Sequence, residues 1–283
     1  WTLVLLMGAV LSACGSPKAD EGSVQLDPKF NASIVNGEAV ANEDVISKST
    51  VALYFNFPGS TRVKNFCTAT VIAQDTVVTA AHCLVDVSQM LETTVDQLLP
   101  NVRVGLGIDL VGSLLDGKVQ FVKVKSARYH QDYVSGSDSL EGADKGKPFY
   151  DIAIVRLESP LPADFKPVRL MADPAQLTVG LKLTLAGYGV IRGGVFPVES
   201  KELRKTTVTV DNSSLNPVQF SYAAVNGQSA CSGDSGGPAY LIENDVLTLV
   251  GVTSWGDNNC AEKGVYTSVP ALHAWIQETV SAL

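Results

Sequence analysis

The chain is poor in groups that can act as a base near neutral pH: its 283 residues include only three histidines. Positive charge is also short. Lys and Arg number 21 against 29 Asp and Glu, and the resulting net charge of −8 argues against nucleic acid or an anionic membrane surface as the main partner. The sequence contains no internal repeat and no low-complexity tract. Its one uncharged apolar run near the start, Leu3–Ala13, is too short to span a bilayer as a helix. What remains is a globular composition, 46% hydrophobic and 18% charged, with ample material for a core.

Leu3–Ala13 fits the apolar core of a secretory signal, and the missing Met and basic residues ahead of Trp1 imply a true start further upstream. The run ends in Leu11-Ser12-Ala13-Cys14, which resembles the lipobox of bacterial lipoproteins and makes Cys14 a candidate acylated residue. Ordinary signal cleavage without lipid is the alternative. A multiply acylated Cys14 would be the only membrane attachment expected, at a bacterial cell envelope; otherwise the product would be secreted. The cysteine count is five, and an exported protein with an odd count needs a reason for the extra one. With Cys14 set aside, Cys67, Cys83, Cys231 and Cys260 permit two disulfides.

Residues 15–33 are polar and aperiodic and read as a linker or propeptide after a 1–14 signal segment. From Ile34 onward, short runs rich in Val, Thr, Ile and Leu alternate with turn signals, as in barrels and sandwiches. The stretch Glu158–Val168 divides them into two groups. Two helices are expected. Val87, Met90, Leu91, Thr94, Val95, Leu98 and Leu99 form a helical stripe ended by Pro100. From Pro270, Leu272, Trp275, Ile276 and Val280 share a second face.

The histidines are His82 in TAAHC, His130 in ARYHQDY and His273 in the terminal helix. A nucleophilic serine needs a base to take its proton and a carboxylate to fix that base's tautomer. TAAHC, DIAIVRL and GDSGGP, in the order His, Asp, Ser, resemble the three signature segments of chymotrypsin-like (trypsin-family) serine proteases. The resemblance runs from Ile34 to about Leu283. It implies an all-β fold of two six-stranded antiparallel barrels, about 34–157 and 158–270, with a C-terminal helix and a cleft between. It also implies His82 as general base and acid, Asp151 as its orienting group and Ser235 as nucleophile. Gly233 and Ser235 would supply the oxyanion hole, the glycine because it can turn its N–H inward at a dihedral a side chain resists. His130 reads instead as a strand-edge residue and His273 as a helix-surface residue.

The same resemblance pairs Cys67 with Cys83 and Cys231 with Cys260. It makes Ser254, Trp255 and Gly256 the segment that pairs with the substrate backbone, with the Ser254 hydroxyl supporting Asp151. Ile34-Val35-Asn36-Gly37 resembles the mature N-terminus of the family, which implies a zymogen: cleavage before Ile34 frees an ammonium group that pairs with Asp234. Ser33 replaces the usual Arg or Lys there, so the activating protease is not expected to be trypsin-like. Ser229, six residues before Ser235, occupies the specificity position, where trypsin-like members carry an aspartate. With Gly256 and Gly264 at wall positions, an uncharged deep slot is expected, suited to large apolar or aromatic side chains. The loop Cys260–Tyr266 is shorter than in common relatives and brings Glu262 and Lys263 near that slot.

No metal and no cofactor are expected. In the segment 107–121, where relatives bind calcium, Ile108 and Val119 fall at the carboxylate positions; the acidic stretch 134–150 lacks EF-hand spacing. Residues 86–100 insert after His82 and either rim the cleft or form a neutral surface helix. The expected activity is endopeptidase cleavage of polypeptides by a monomer that an activating protease switches on. The alternative from another class is a catalytically silent, surface-anchored binding or adhesion protein with this fold. An esterase of the α/β-hydrolase type is disfavoured because the Gly-x-Ser-x-Gly elbow context is missing.

Overall fold

A computed structural model describes residues 34–57, 63–110, 119–135, 147–192, 198–200, 202–257 and 259–283. The expected signal segment, the linker and Cys14 lie outside these residues, as do 111–118 and 136–146 of the two acidic or calcium-like loops.

Six strands close the first barrel: β1 (Thr50–Asn56), β2 (Val63–Ala73), β3 (Thr76–Thr79), β4 (Val102–Leu106), β5 (Gln120–Tyr129) and β6 (Ala153–Leu157). They pair in the order β1-β2-β3-β6-β5-β4, and β4 returns to β1. The second barrel holds β7 (Lys182–Gly187), β8 (Arg204–Asn216), β9 (Gln219–Ala223), β10 (Pro238–Glu243), β11 (Val246–Gly256) and β12 (Lys263–Ser268). Their order, β7-β8-β9-β12-β11-β10 with β10 back on β7, repeats that of the first barrel. Every connection within a barrel is antiparallel.

The alternation along β8 explains why this segment curls around a core. Thr206, Val208 and Val210 are buried, while Thr207, Thr209 and Asp211 face solvent. Strand β1 is buried along nearly its whole length, because the rest of the chain covers its outer face as well. Phe220, Tyr222, Tyr266, Leu183, Leu185 and Val250 fill the second barrel. Ile34 joins that cluster and is fully buried.

The expected helix after His82 is two helices. α1 (His82–Met90) begins at the histidine itself, and α2 (Val95–Leu98) follows after a break at which Glu92 adopts φ 52°. Thr94 starts α2 with a capping box that Gln97 completes. The apolar stripe therefore divides. Leu98 and Leu99 enter the first core, Val95 packs beside Ala81, Val85, Tyr133 and Phe149, and Met90 and Leu91 stay exposed. The C-terminal helix α3 (His273–Ala282) buries Ile276 and Thr279 and returns to the first barrel. There Arg156 on β6 pairs with Asp75 at 2.7 Å and donates to the Val280 carbonyl at 2.8 Å.

His130 is a buried residue, not a strand-edge one. Its ring stacks on Tyr150 at 4.2 Å and lies 5.0 Å from Trp275 of α3. Burial lowers its pKa against the opposing pull of Asp132. It serves the seam between barrel and helix.

Candidate active site

His82 follows β3 and opens α1, Asp151 lies just before β6, and Ser235 sits on the turn between β9 and β10. The first two belong to one barrel and the third to the other. Asp151 is fully buried, and its carboxylate is shared. One oxygen lies 2.8 Å from His82 Nδ1 and accepts the Ser254 hydroxyl at 2.6 Å. The other accepts the His82 backbone N–H at 2.9 Å. That N–H is one of the unpaired donors at the start of α1, which has no side-chain cap of its own. Asp151 therefore fixes the ring and caps the helix that carries it, and the helix dipole favours the charge it holds. Ser254 reaches it because a bulge in β11 opposite Tyr266 and Val265 inserts one residue there. Thr267 from β12 donates to the Asp151 carbonyl at 2.9 Å.

The turn around Ser235 is pinned from the other barrel. Thr68 on β2 donates its N–H to the Ser235 carbonyl at 2.8 Å and its hydroxyl to the Gly233 carbonyl at 2.9 Å. Thr68 adjoins Cys67, which is bonded to Cys83, the neighbour of His82. Two positions on the turn require glycine. Gly236, at φ 77°, has Thr79 Oγ1 2.0 Å from where a Cβ would stand; Gly233, at φ 92°, has the Gly189 Cα at 2.8 Å. Among the described residues, the N–H groups of Gly233 and Ser235 meet no acceptor. The Cys231–Cys260 disulfide ties this turn to the loop after β11.

Asp234 is fully buried and accepts from the Gly189 N–H at 2.8 Å and the Cys231 N–H at 2.9 Å. Burial outweighs those two donors and pushes its pKa up to about 7. Asn36 adopts φ 58°, and its amide donates to the carbonyls of Asn226 and Gly227. Cys67, Cys83 and His82 offer three ligand atoms within 4.8 Å, but the two sulfurs are joined, which leaves no thiolate for a metal.

A cavity of about 210 Å³ opens beside Ser235. Ala230–Ser232 form one wall, Thr253–Asp257 the other, and Cys260 and Gly264 its end. Ser254, Trp255, Gly256 and Gly264 line it, whereas Ser229 does not: it is fully buried behind Ala230, with its hydroxyl 3.0 Å from that of Tyr222. Neither Glu262 nor Lys263 lines the cavity; Asp257 does. Its carboxylate accepts from the N–H groups of Asn259, Ala261, Glu262 and Lys263. Burial works to raise its pKa, but those donors outweigh it and hold the group below the ordinary carboxylate range. Asp257 and Tyr222 escaped the sequence reading. Asp257 had a local signal, an acidic residue directly after Ser254-Trp255-Gly256 in a loop too short to shape itself.

Two barrels with a histidine–aspartate pair on one side of the cleft and a serine turn on the other define a serine hydrolase of the double-barrel type. The family model for trypsin matches residues 34–276. The chain belongs to the trypsin family of serine endopeptidases. It is similar to Trypsin alpha of Drosophila melanogaster, at 29% identity over 99% of both chains. Trypsin epsilon of Drosophila erecta is 32% identical over 76% of this chain and 78% of its own. Phenoloxidase-activating enzyme 1 of Spodoptera litura is 29% identical over 76% of this chain and 59% of its own.

Proposed function

We propose that the chain is an exported endopeptidase precursor in which Ser235, His82 and Asp151 perform acyl transfer once Ile34 is freed. The observation that carries the reading is the buried carboxylate of Asp151, 2.8 Å from His82 Nδ1 and hydrogen-bonded to Ser254, which lines a cavity together with Ser235. With His82 Nδ1 held by Asp151, Nε2 is the ring nitrogen that would take the Ser235 hydroxyl proton as Oγ attacks the scissile carbonyl. The N–H groups of Gly233 and Ser235 receive the charge that develops on the carbonyl oxygen. Collapse of the tetrahedral species breaks the C–N bond, and the imidazolium returns its proton to the leaving amine. Water then repeats the sequence on the acyl ester. The neighbouring segment Ser254–Gly256, which lines the cavity, would pair with the substrate backbone.

Asp234 supports a zymogen. In the unbroken chain its buried charge meets two N–H donors and no cation among the described residues. Ile34 already sits in the second core, and the ammonium released by cleavage would supply the missing charge. Two disulfides require an oxidising compartment, which supports export. Among the described residues each barrel closes on itself with no free edge of its own, which supports a monomer. A lipid at Cys14 rests on the Leu11–Cys14 motif alone, and mass spectrometry of that cysteine tests it. The side chain before the scissile bond is proposed to be apolar. Sequence expects a large or aromatic one, in a slot that reaches Ser229.

The test is labelling with a fluorophosphonate before and after cleavage at Ser33–Ile34. Labelling of Ser235 that rises with a free Ile34 supports both the triad and the precursor. Absence of labelling in either form overturns the enzyme reading.

A further inference from the structure

We infer that Tyr222, packed behind Ala230 and Gly264, closes the specificity pocket before it reaches Ser229 and restricts it to small and medium aliphatic side chains. The inference rests on the protease reading and narrows it. Tyr222 on β9 and Gly264 on β12 are direct cross-strand partners, so their side-chain positions lie on one face of the sheet. A Cβ on Gly264 would stand 2.4 Å from Tyr222 Cε1 and 2.5 Å from its Cζ and hydroxyl. The room that a glycine leaves at this wall is therefore taken by the tyrosine ring, not held open for substrate. The ring continues beneath the wall. Its hydroxyl accepts the Ala230 N–H at 2.8 Å and contacts the Ser229 hydroxyl at 3.0 Å.

Tyr222 is itself buried and backed by the Tyr266 ring at 5.8 Å, so it is held in place from below. Both hydrogen bonds and the cross-strand contact would have to break for it to swing away. The cavity beside Ser235 accordingly stops at Ala230 and Gly264 and leaves Ser229 fully buried. A deep slot between Ser229 and Gly264 is filled by the protein's own side chain. An aromatic ring from a substrate would compete for space that Tyr222 already occupies, whereas Ala, Val or Leu ends above it.

The experiment compares kcat/KM on peptides that differ only in the residue before the scissile bond: Ala, Val, Leu, Phe, Tyr and Lys. It uses the form of the protein that a fluorophosphonate labels. Wild type should favour the best aliphatic residue over Phe and Tyr by about tenfold or more, the scale on which a pocket discriminates by size. Tyr222→Ala should raise the Phe-to-Val ratio by at least about tenfold, and Tyr222→Leu, a smaller loss of packing, should shift it in the same direction. Tyr222→Phe, which keeps the ring, should keep the aliphatic preference. Wild-type preference for Phe or Tyr overturns the proposal, as does a Tyr222→Leu profile identical to wild type. If neither shortened variant folds, the wild-type and Tyr222→Phe profiles decide. Failure to cleave any peptide with Ser235 intact overturns the protease reading instead.

Discussion

Titration of Asp234 should destabilise the unbroken chain as pH rises, and the amount follows from its surroundings. Its folded pKa is raised to about 7 from an ordinary value of 3.8 because burial outweighs the N–H groups of Cys231 and Gly189. Below pH 3.8 the folded and unfolded chains both hold the proton. Between 3.8 and about 7 the unfolded chain releases it and the folded chain keeps it, so stability falls as pH rises through that window. Three pKa units correspond to about 4 kcal/mol, fully lost above pH 7. The measurement is urea unfolding from pH 4 to 8, in a Ser235→Ala background that prevents self-digestion, with and without Asp234→Asn. The asparagine forfeits one hydrogen bond at every pH, so only the change of the difference with pH is informative. The Asp234 chain should lose at least about 2 kcal/mol relative to the Asn chain between pH 4 and 8, half the full figure. After cleavage at Ser33–Ile34 that relative loss should vanish, because an ammonium then pairs with the carboxylate. Parallel curves for the unbroken chains, within about 0.5 kcal/mol, would refute the reasoning.

Three further outcomes follow from named contacts. Ser254→Ala removes a 2.6 Å donor from a fully buried carboxylate; kcat/KM should drop by about tenfold, near the 1–2 kcal/mol of such a bond, and fluorophosphonate labelling should slow with it. Replacing Cys67 and Cys83 together by Ala opens a loop with a sequence separation of 16 and should cost about 3 kcal/mol in urea unfolding. Asp257→Ala removes the acceptor shared by four backbone N–H groups of a largely exposed loop, which water then reaches, and should cost about 0.5–1.5 kcal/mol. Since the Asp257 pKa is lowered, its contribution is present above the ordinary carboxylate pKa and lost as pH falls below it. The gap between wild type and Asp257→Ala should therefore narrow in acid.

The candidate constellation of His82, Asp151 and Ser235 was legible because each of its members sits in a short contiguous motif, and the strands because their β-branched runs are bounded by breakers. The barrels' identical strand order was not, since it depends on pairings such as β4 with β1 that no local pattern records. Tyr222 stayed hidden for the same reason. Its role comes from facing Gly264, 42 positions away along the chain, and register is a property of the whole sheet. The helical stripe after His82 ran through a break because periodicity carries no information on the one residue, Glu92, that turns left-handed. His130 was assigned by strand pattern and is instead governed by a terminal helix that packs on it.

The pinning of the Ser235 turn by Thr68 has a mechanical meaning. A base from one barrel and a nucleophile from the other would ordinarily inherit every small shift between two bodies. Here both are dimensioned from one datum. Thr68 grips the Ser235 turn with two hydrogen bonds, and the cysteine beside it is bolted to the neighbour of His82. Under the proposed chemistry, a shift of one barrel against the other about that point would leave the gap between base and nucleophile little changed, as the jaws of a caliper keep their setting when the frame is moved.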